Sequence, residues 1–191
     1  MNVEKPNYVV IVMESVLSDK LFQALVQLQK NKIYIGKTEN ELNDGLRDML
    51  NMVFECADQT RQGVSEEEID SGEVDILIKD KGIPVSIIEA MRLRSMERQV
   101  LSKHIDKVLT KYDFNGCKIV NIVIYAFMVD FGSFWTKCSK YLSYEYSYPF
   151  ELSIPFVECE TNLSETKHGI TRLIRSGSEI SLHFYAVHMR E

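Results

Sequence analysis

Apolar positions along this chain follow two periods in turn, and the alternation sets out an order of elements. Tyr8 to Met13 is a short β-branched run that predicts a strand, and Ser18 to Gln29 places Leu21, Phe22, Leu25, Val26 and Leu28 at helical spacing. Thr38-Glu39-Asn40-Glu41 reads as a capping box, with Thr38 capping and Glu41 at the third helical position, ahead of a stripe of Leu42, Leu46, Met49, Leu50 and Val53. Met52 to Ala57 predicts a strand and Asp58 to Ser71 a polar loop. Gly72 to Ile78 and Val85 to Leu93 then predict two strands joined by a hairpin at Asp80-Lys81-Gly82. Met96 to Tyr112 returns to helical spacing through Val100, Leu101, Ile105, Val108 and Leu109, and stops at Asn115-Gly116. Lys118 to Met128 is apolar enough for a central buried strand, and Phe131 to Tyr141 predicts a helix with Trp135 in the core. Phe150 to Cys159, carrying Pro155, suits an edge strand, and Ile170 to Ile174 with Ile180 to Val187 predict a terminal hairpin around Ser176-Gly177-Ser178. The fold class is α/β: a mixed central sheet flanked by helices.

Two acids break the apolar pattern. Asp75 and Glu89 stand in neighbouring strand-like runs whose other positions are largely apolar. A charged acid there is costly unless a cation or hydrogen-bond donors meet it, so two together point to a shared divalent metal. Glu39, one turn before Leu42 on the inward face, is the third member, whereas Glu41 shares a face with Asp44 and Asp48 and caps its helix in solvent. Other readings stay open. Asp75 suits a solvent-facing edge, Glu89 an ion pair with Arg61, Arg92 or Arg94, and Glu39 the favourable end of a helix dipole. Glu73 stands beside the site or in solvent, and His104 reads as a half-buried helix residue.

The 191 residues, 45% apolar and 26% charged, fit a single domain, with residues 1–37 as a strand–helix appendage, 38–128 as the core and 129–191 as a C-terminal helix and strands. Tyr8 to Met13 is too short to span a membrane and has no cleavage signature behind it, which predicts a cytoplasmic protein without a membrane partner. Cys56, Cys117, Cys138 and Cys159 have no metal spacing and read as free thiols. The net charge of −6 argues against non-specific coating of nucleic acid. Charge is uneven, however: residues 39–75 hold twelve acids and two bases, while 92–111 hold six bases against Glu97 and Asp106. A metal on the acidic side would leave the basic segment to meet phosphates, although a solvated helix face with ion pairs explains that run as well.

The order helix, three strands, helix, strand over residues 38–128 carries Thr38-Glu39-Asn40-Glu41-Leu42, Gly72-Glu73-Val74-Asp75 and Ile88-Glu89-Ala90-Met91, with fourteen residues from Asp75 to Glu89. It resembles the PD-(D/E)XK, restriction-endonuclease-like nuclease superfamily, built on an αβββαβ core. The resemblance implies phosphodiester hydrolysis of DNA, more than RNA, with Mg²⁺ or Mn²⁺ held by Asp75, Glu89, the Ala90 carbonyl and Glu39. It further implies restriction, defence or repair as the setting, and a homodimer for cutting both strands. The family's motif lysine would fall at Met91. Arg92 faces the other way in a regular strand, and a bulge after Ala90 would turn it into a catalytic position. Arg94 and Lys103 are further phosphate-facing candidates, with Arg61 and Gln62 as substrate contacts in the polar loop. The alternative is a catalytically silent nuclease-fold module for nucleic-acid binding or assembly.

Overall fold

The computed structural model describes residues 8–57, 74–113 and 115–190, and for residues 8–12 the backbone alone. Elements follow the order α1 (Tyr8–Lys30), α2 (Glu39–Leu50), β1 (Glu55–Ala57), β2 (Ile76–Asp80), β3 (Ile83–Leu93), α3 (Arg98–Lys107), β4 (Ile119–Ala126), α4 (Phe131–Lys140), β5 (Glu151–Cys159), β6 (Thr166–Arg175) and β7 (Ser178–His188). One seven-stranded sheet takes the order β1-β2-β3-β4-β7-β6-β5. Its centre, β3-β4-β7, is parallel, and its flanks are antiparallel. It is a mixed α/β fold with helices on both faces.

Local chemistry accounts for the joints. Lys81 and Gly82, and again Ser176 and Gly177, have positive φ, and each pair forms a two-residue turn between Asp80 and Ile83 or between Arg175 and Ser178. Two successive left-handed residues give the turn whose twist matches that of paired strands. The Thr38 hydroxyl accepts the Glu41 N–H while the Glu41 carboxylate accepts the Thr38 N–H, so the capping box is formed. β4 is buried at every position because helices cover both of its faces. Pro155 lies in β5, at the sheet's edge, where its missing N–H disturbs no inner ladder.

The core divides into two layers. On one face Ile87, Met91 and Leu93 of β3 and Val120, Ile122 and Ile124 of β4 pack with Leu101, Ile105, Phe134 and Trp135 of α3 and α4. On the other, Leu17, Leu21, Leu25 and Leu28 of α1 and Leu42, Leu46 and Leu50 of α2 cover Ile88, Ala90, Val123 and Tyr185. The strand expected at Tyr8 to Met13 is instead the opening of α1. β-branching favours a strand only weakly, and the run continues in phase into a leucine stripe whose burial decides the conformation. Among the described residues no helix is long and apolar enough to cross a membrane, and all four cysteines are free.

Candidate functional site

β2 stops pairing at Ile76, opposite Ile88, but β3 continues to Leu93. N–H groups of alternate residues point to the same neighbour, so those of Ala90 and Arg92 face the edge that β2 leaves open. Two carboxylates fill that edge. Asp75, one residue before β2, accepts the Ala90 N–H at Oδ2 (2.6 Å), and Glu39 accepts the Arg92 N–H at Oε2 (2.6 Å). The Ala90 carbonyl points to the same edge as its N–H.

Glu39 reaches this edge because α2 is fixed there. The capping box sets its first turn, its leucines enter the core, and the buried Tyr125 hydroxyl donates to Asn43 Oδ1 (3.0 Å) from β4. Gly45 lets the Tyr34 ring lie against the helix, since a Cβ there would stand 2.4 Å from a ring carbon. Glu89 leaves β3 on the opposite face, between Ile87 and Met91. Its Oε1 hydrogen-bonds His104 Nδ1 of α3 at 2.7 Å, and its Oε2 is buried with no hydrogen-bond partner.

Three like charges thus gather around one strand edge. Burial is the largest influence on Asp75, and with Glu89 and Glu39 it overcomes the Ala90 N–H and His104 to push the carboxyl up to about 7. Burial likewise raises Glu89, aided by Glu39 and opposed by the His104 bond and the charges of His104 and Lys107. Acids at this end also hold the Tyr125 hydroxyl, already raised by burial, further above its ordinary range.

Asp75, Glu89, Ala90 and Glu39, singled out in the sequence, therefore come together. The β3–β4 register runs unbroken from Glu89 to Leu93, without the bulge that would redirect Arg92. The Arg92 guanidinium lies 4.0 Å over the Phe127 ring, on the face of α1 and α2 and opposite Glu89. Arg94 and Lys103 are exposed, one just past β3 and the other on α3. Arg61, Gln62 and Glu73 lie outside the described residues. Sequence reasoning passed over His104 and Lys107 as partners of Glu89. Their three-residue spacing, which puts both on one face of α3, was the available signal.

Among the described residues no three of His, Cys, Asp and Glu form a ready-made metal nest. Each of the three acids has one oxygen tied to the chain, by Ala90, Arg92 or His104. The donor set still fits a hard dication: carboxylate oxygens, a carbonyl on the same edge, an orphaned Glu89 Oε2, and charge repulsion that a cation relieves. No family model, curated protein or solved structure matches the chain.

A second polar cluster lies on the face of α1. Glu14 Oε1 accepts from Arg172 (3.1 Å) and pairs with His183 Nε2 (3.1 Å), and His183 Nδ1 meets His168 Nε2 at 3.1 Å. The His168 ring stacks on Tyr185 at 4.4 Å. Burial alone would raise Glu14, but the His183 bond and the charges of His183 and Arg172 outweigh it and hold the carboxyl below its ordinary value. Burial, reinforced by His183, lowers His168 to about 4.

Proposed function

We propose that the chain is a metal-dependent nuclease of the PD-(D/E)XK type that hydrolyses phosphodiester bonds of DNA, in a setting of restriction, defence or repair. The observation that carries this reading is that Asp75 and Glu39 sit together on the β3 edge and Glu89, on the neighbouring face, is coupled to both through charge, with Asp75 raised to about 7 and Glu89 Oε2 unpartnered. The order α2, β1, β2, β3, α3, β4 supports it, being the αβββαβ order of that superfamily.

Asp75, Glu89 Oε2, the Ala90 carbonyl and Glu39 would hold Mg²⁺ or Mn²⁺. When bound, such an ion polarises a scissile phosphate and acidifies the attacking water. The chain's own residues do the rest. The Ala90 N–H orients Asp75, the Arg92 N–H orients Glu39, and His104 anchors Glu89 Oε1 while Oε2 is left without a hydrogen-bond partner. Met91 occupies the lysine slot and is buried in the layer under α3, while the charge of Lys107 on α3 acts on Glu89 through space. A homodimer would set two such sites on two strands of a duplex.

Purified protein with Mg²⁺ or Mn²⁺ is expected to nick plasmid DNA, and Glu89→Gln to lower the rate about 100-fold, the scale of losing one charge-stabilising group. Intact DNA and RNA under these conditions, together with no metal binding that Asp75→Asn abolishes, would remove the nuclease reading. One observation favours a silent binding or assembly module instead: the apolar burial of Met91 where the motif lysine belongs.

A further inference from the structure

A cavity of about 340 Å³ opens between the end of α1 and the end of β7, lined by Gln29, Lys30, Lys32, Glu165, His188 and Arg190. Its walls are tied in place. The Gln29 side-chain amide donates to the carbonyls of Glu165 and His188 (2.9 and 2.7 Å), and His188 bonds the Glu165 carboxylate and the Met128 carbonyl. Glu165, the acid of the cavity, is thereby engaged. Lys30 and Lys32 have no ion-pair partner among the described residues, and Arg190 acts on Glu165 only through space. Lys30 stands in the last turn of α1, where a cation also meets the helix dipole, so its charge alone argues little. Among the described residues Lys32 has no acid beside it, and Arg190 meets only the charge of Glu165, whose carboxylate His188 already engages. In a chain of net charge −6, three cations around one tied cavity mark an anion site.

Its place in the fold says which anion. Phe127 N–H donates to the Leu93 carbonyl and Met189 N–H to the Ala126 carbonyl, so the carboxyl ends of β3, β4 and β7 lie side by side. The acid cluster stands at the β3 end of this row and the cavity at the β7 end. Carboxyl ends of parallel strands are where open α/β sheets receive ligands. β3 and β7 are about 10 Å apart across the sheet. A nucleic-acid strand rising about 3.4 Å per step spans that gap within a few nucleotides.

We propose that Lys30, Lys32 and Arg190 form a second phosphate subsite, which grips the backbone of the same polynucleotide whose scissile phosphate meets Asp75, Glu89 and Glu39. The inference rests on the nuclease reading and adds to it where the strand runs, across the carboxyl ends of β3, β4 and β7.

The test is a fluorescence-anisotropy titration of a labelled DNA duplex without divalent metal, from 50 to 200 mM salt, for the wild type and for the triple variant Lys30→Ala, Lys32→Ala, Arg190→Ala. Plasmid cleavage by the wild type is scored in parallel. With two to three phosphate contacts removed, the slope of log affinity against log salt is expected to become shallower by about 2, and affinity at low salt to fall at least about 10-fold. All three side chains are exposed, and a circular-dichroism melt matching the wild type assigns the loss to contact. Wild-type affinity and slope in the triple variant, with cleavage present in the wild type, overturn the subsite alone. A wild type that neither cuts nor binds DNA overturns the nuclease reading and the subsite with it. Binding of inorganic phosphate by the cavity without any binding of duplex also overturns the proposal.

Discussion

Glu14 and Glu89 are glutamates sunk against opposite faces of one sheet, 8% and 4% exposed, and each touches a histidine. Their carboxyl groups nevertheless shift in opposite directions. Glu14 faces Arg172 as well as His183, so its charge is met on the spot. Glu89 has His104 and the charge of Lys107, but Glu39 and Asp75 share its neighbourhood and one of its oxygens has no partner. Burial raises both, and at Glu14 the countercharges outweigh it. What differs is whether the chain supplies the countercharge itself. A cluster that leaves acids uncompensated is costly to keep, and such clusters gather at sites that a ligand completes.

Replacing one acid at each cluster is the strongest way to break this contrast. Asp75→Asn keeps an acceptor for the Ala90 N–H and removes one of the crowded charges. Metal-dependent cleavage is expected to fall about 100-fold or more, while stability at pH 8 rises by about 1–2 kcal/mol, measured by urea unfolding. An Asp75→Asn variant less stable than the wild type would show that the acids are held together for structure. Glu14→Gln removes the carboxylate beside His183 and leaves Arg172 with Glu179 as its remaining acid. It is expected to cost about 2 kcal/mol, below the figure for a fully buried pair because Arg172 is partly exposed, with cleavage by the folded fraction unchanged.

The two clusters also titrate with opposite sign. Asp75 is held at about 7 against an ordinary 3.8, so between those values the folded state binds more protons than the unfolded. Stability from this group therefore falls as pH rises through that window, by up to about 1.4 kcal/mol per pH unit, and is flat above it. Glu14 is held below its ordinary 4.5, so its contribution is complete above that value and is lost as pH falls through the folded value. Unfolding of wild type, Asp75→Asn and Glu14→Gln from pH 4 to 8 checks this. The difference between wild type and Asp75→Asn should grow with pH, to the wild type's disadvantage. The difference between wild type and Glu14→Gln should shrink from the wild type's favour only toward acid. Parallel curves for all three proteins would remove the distinction between the clusters.

Legibility of these features follows how local their causes are. The Lys81-Gly82 turn, the Thr38–Glu41 box and the buried run of β4 are set by residues within a few positions of one another, and each stands where the pattern puts it. Tyr8 to Met13 misled because its β-branched residues suit a strand while a leucine stripe further along decides the matter. The acids of the β3 edge were legible as interruptions of an apolar pattern. Their partners were not, because His104 reaches Glu89 from another element and Glu14 pairs with His183 across 169 positions of chain. No spacing rule carries that far, so these pairs form only once the sheet sets Glu89 of β3 against α3 and His183 of β7 against α1.

The smallest effect is expected at Met91, and it bears on whether the acid cluster is complete without a lysine. Met91 is 1% exposed among Ile87, Leu93, Leu101 and Ile105, on the same face as Glu89. A lysine there would bury its stem in that layer and direct its ammonium toward Glu89, so Met91→Lys is expected to cost about 1–2 kcal/mol in packing and desolvation. His104 and Lys107 already bring hydrogen bonding and positive charge to Glu89. The gain in cleavage is therefore expected to stay below about 10-fold, less than one residue supplying acid–base catalysis contributes. A gain of about 100-fold or more in single-turnover cleavage, the scale of one acid–base group, would show that α3 does not replace the lysine. The uncompensated acids would then be the remains of a site, and the contrast with Glu14 would mark what the chain has lost.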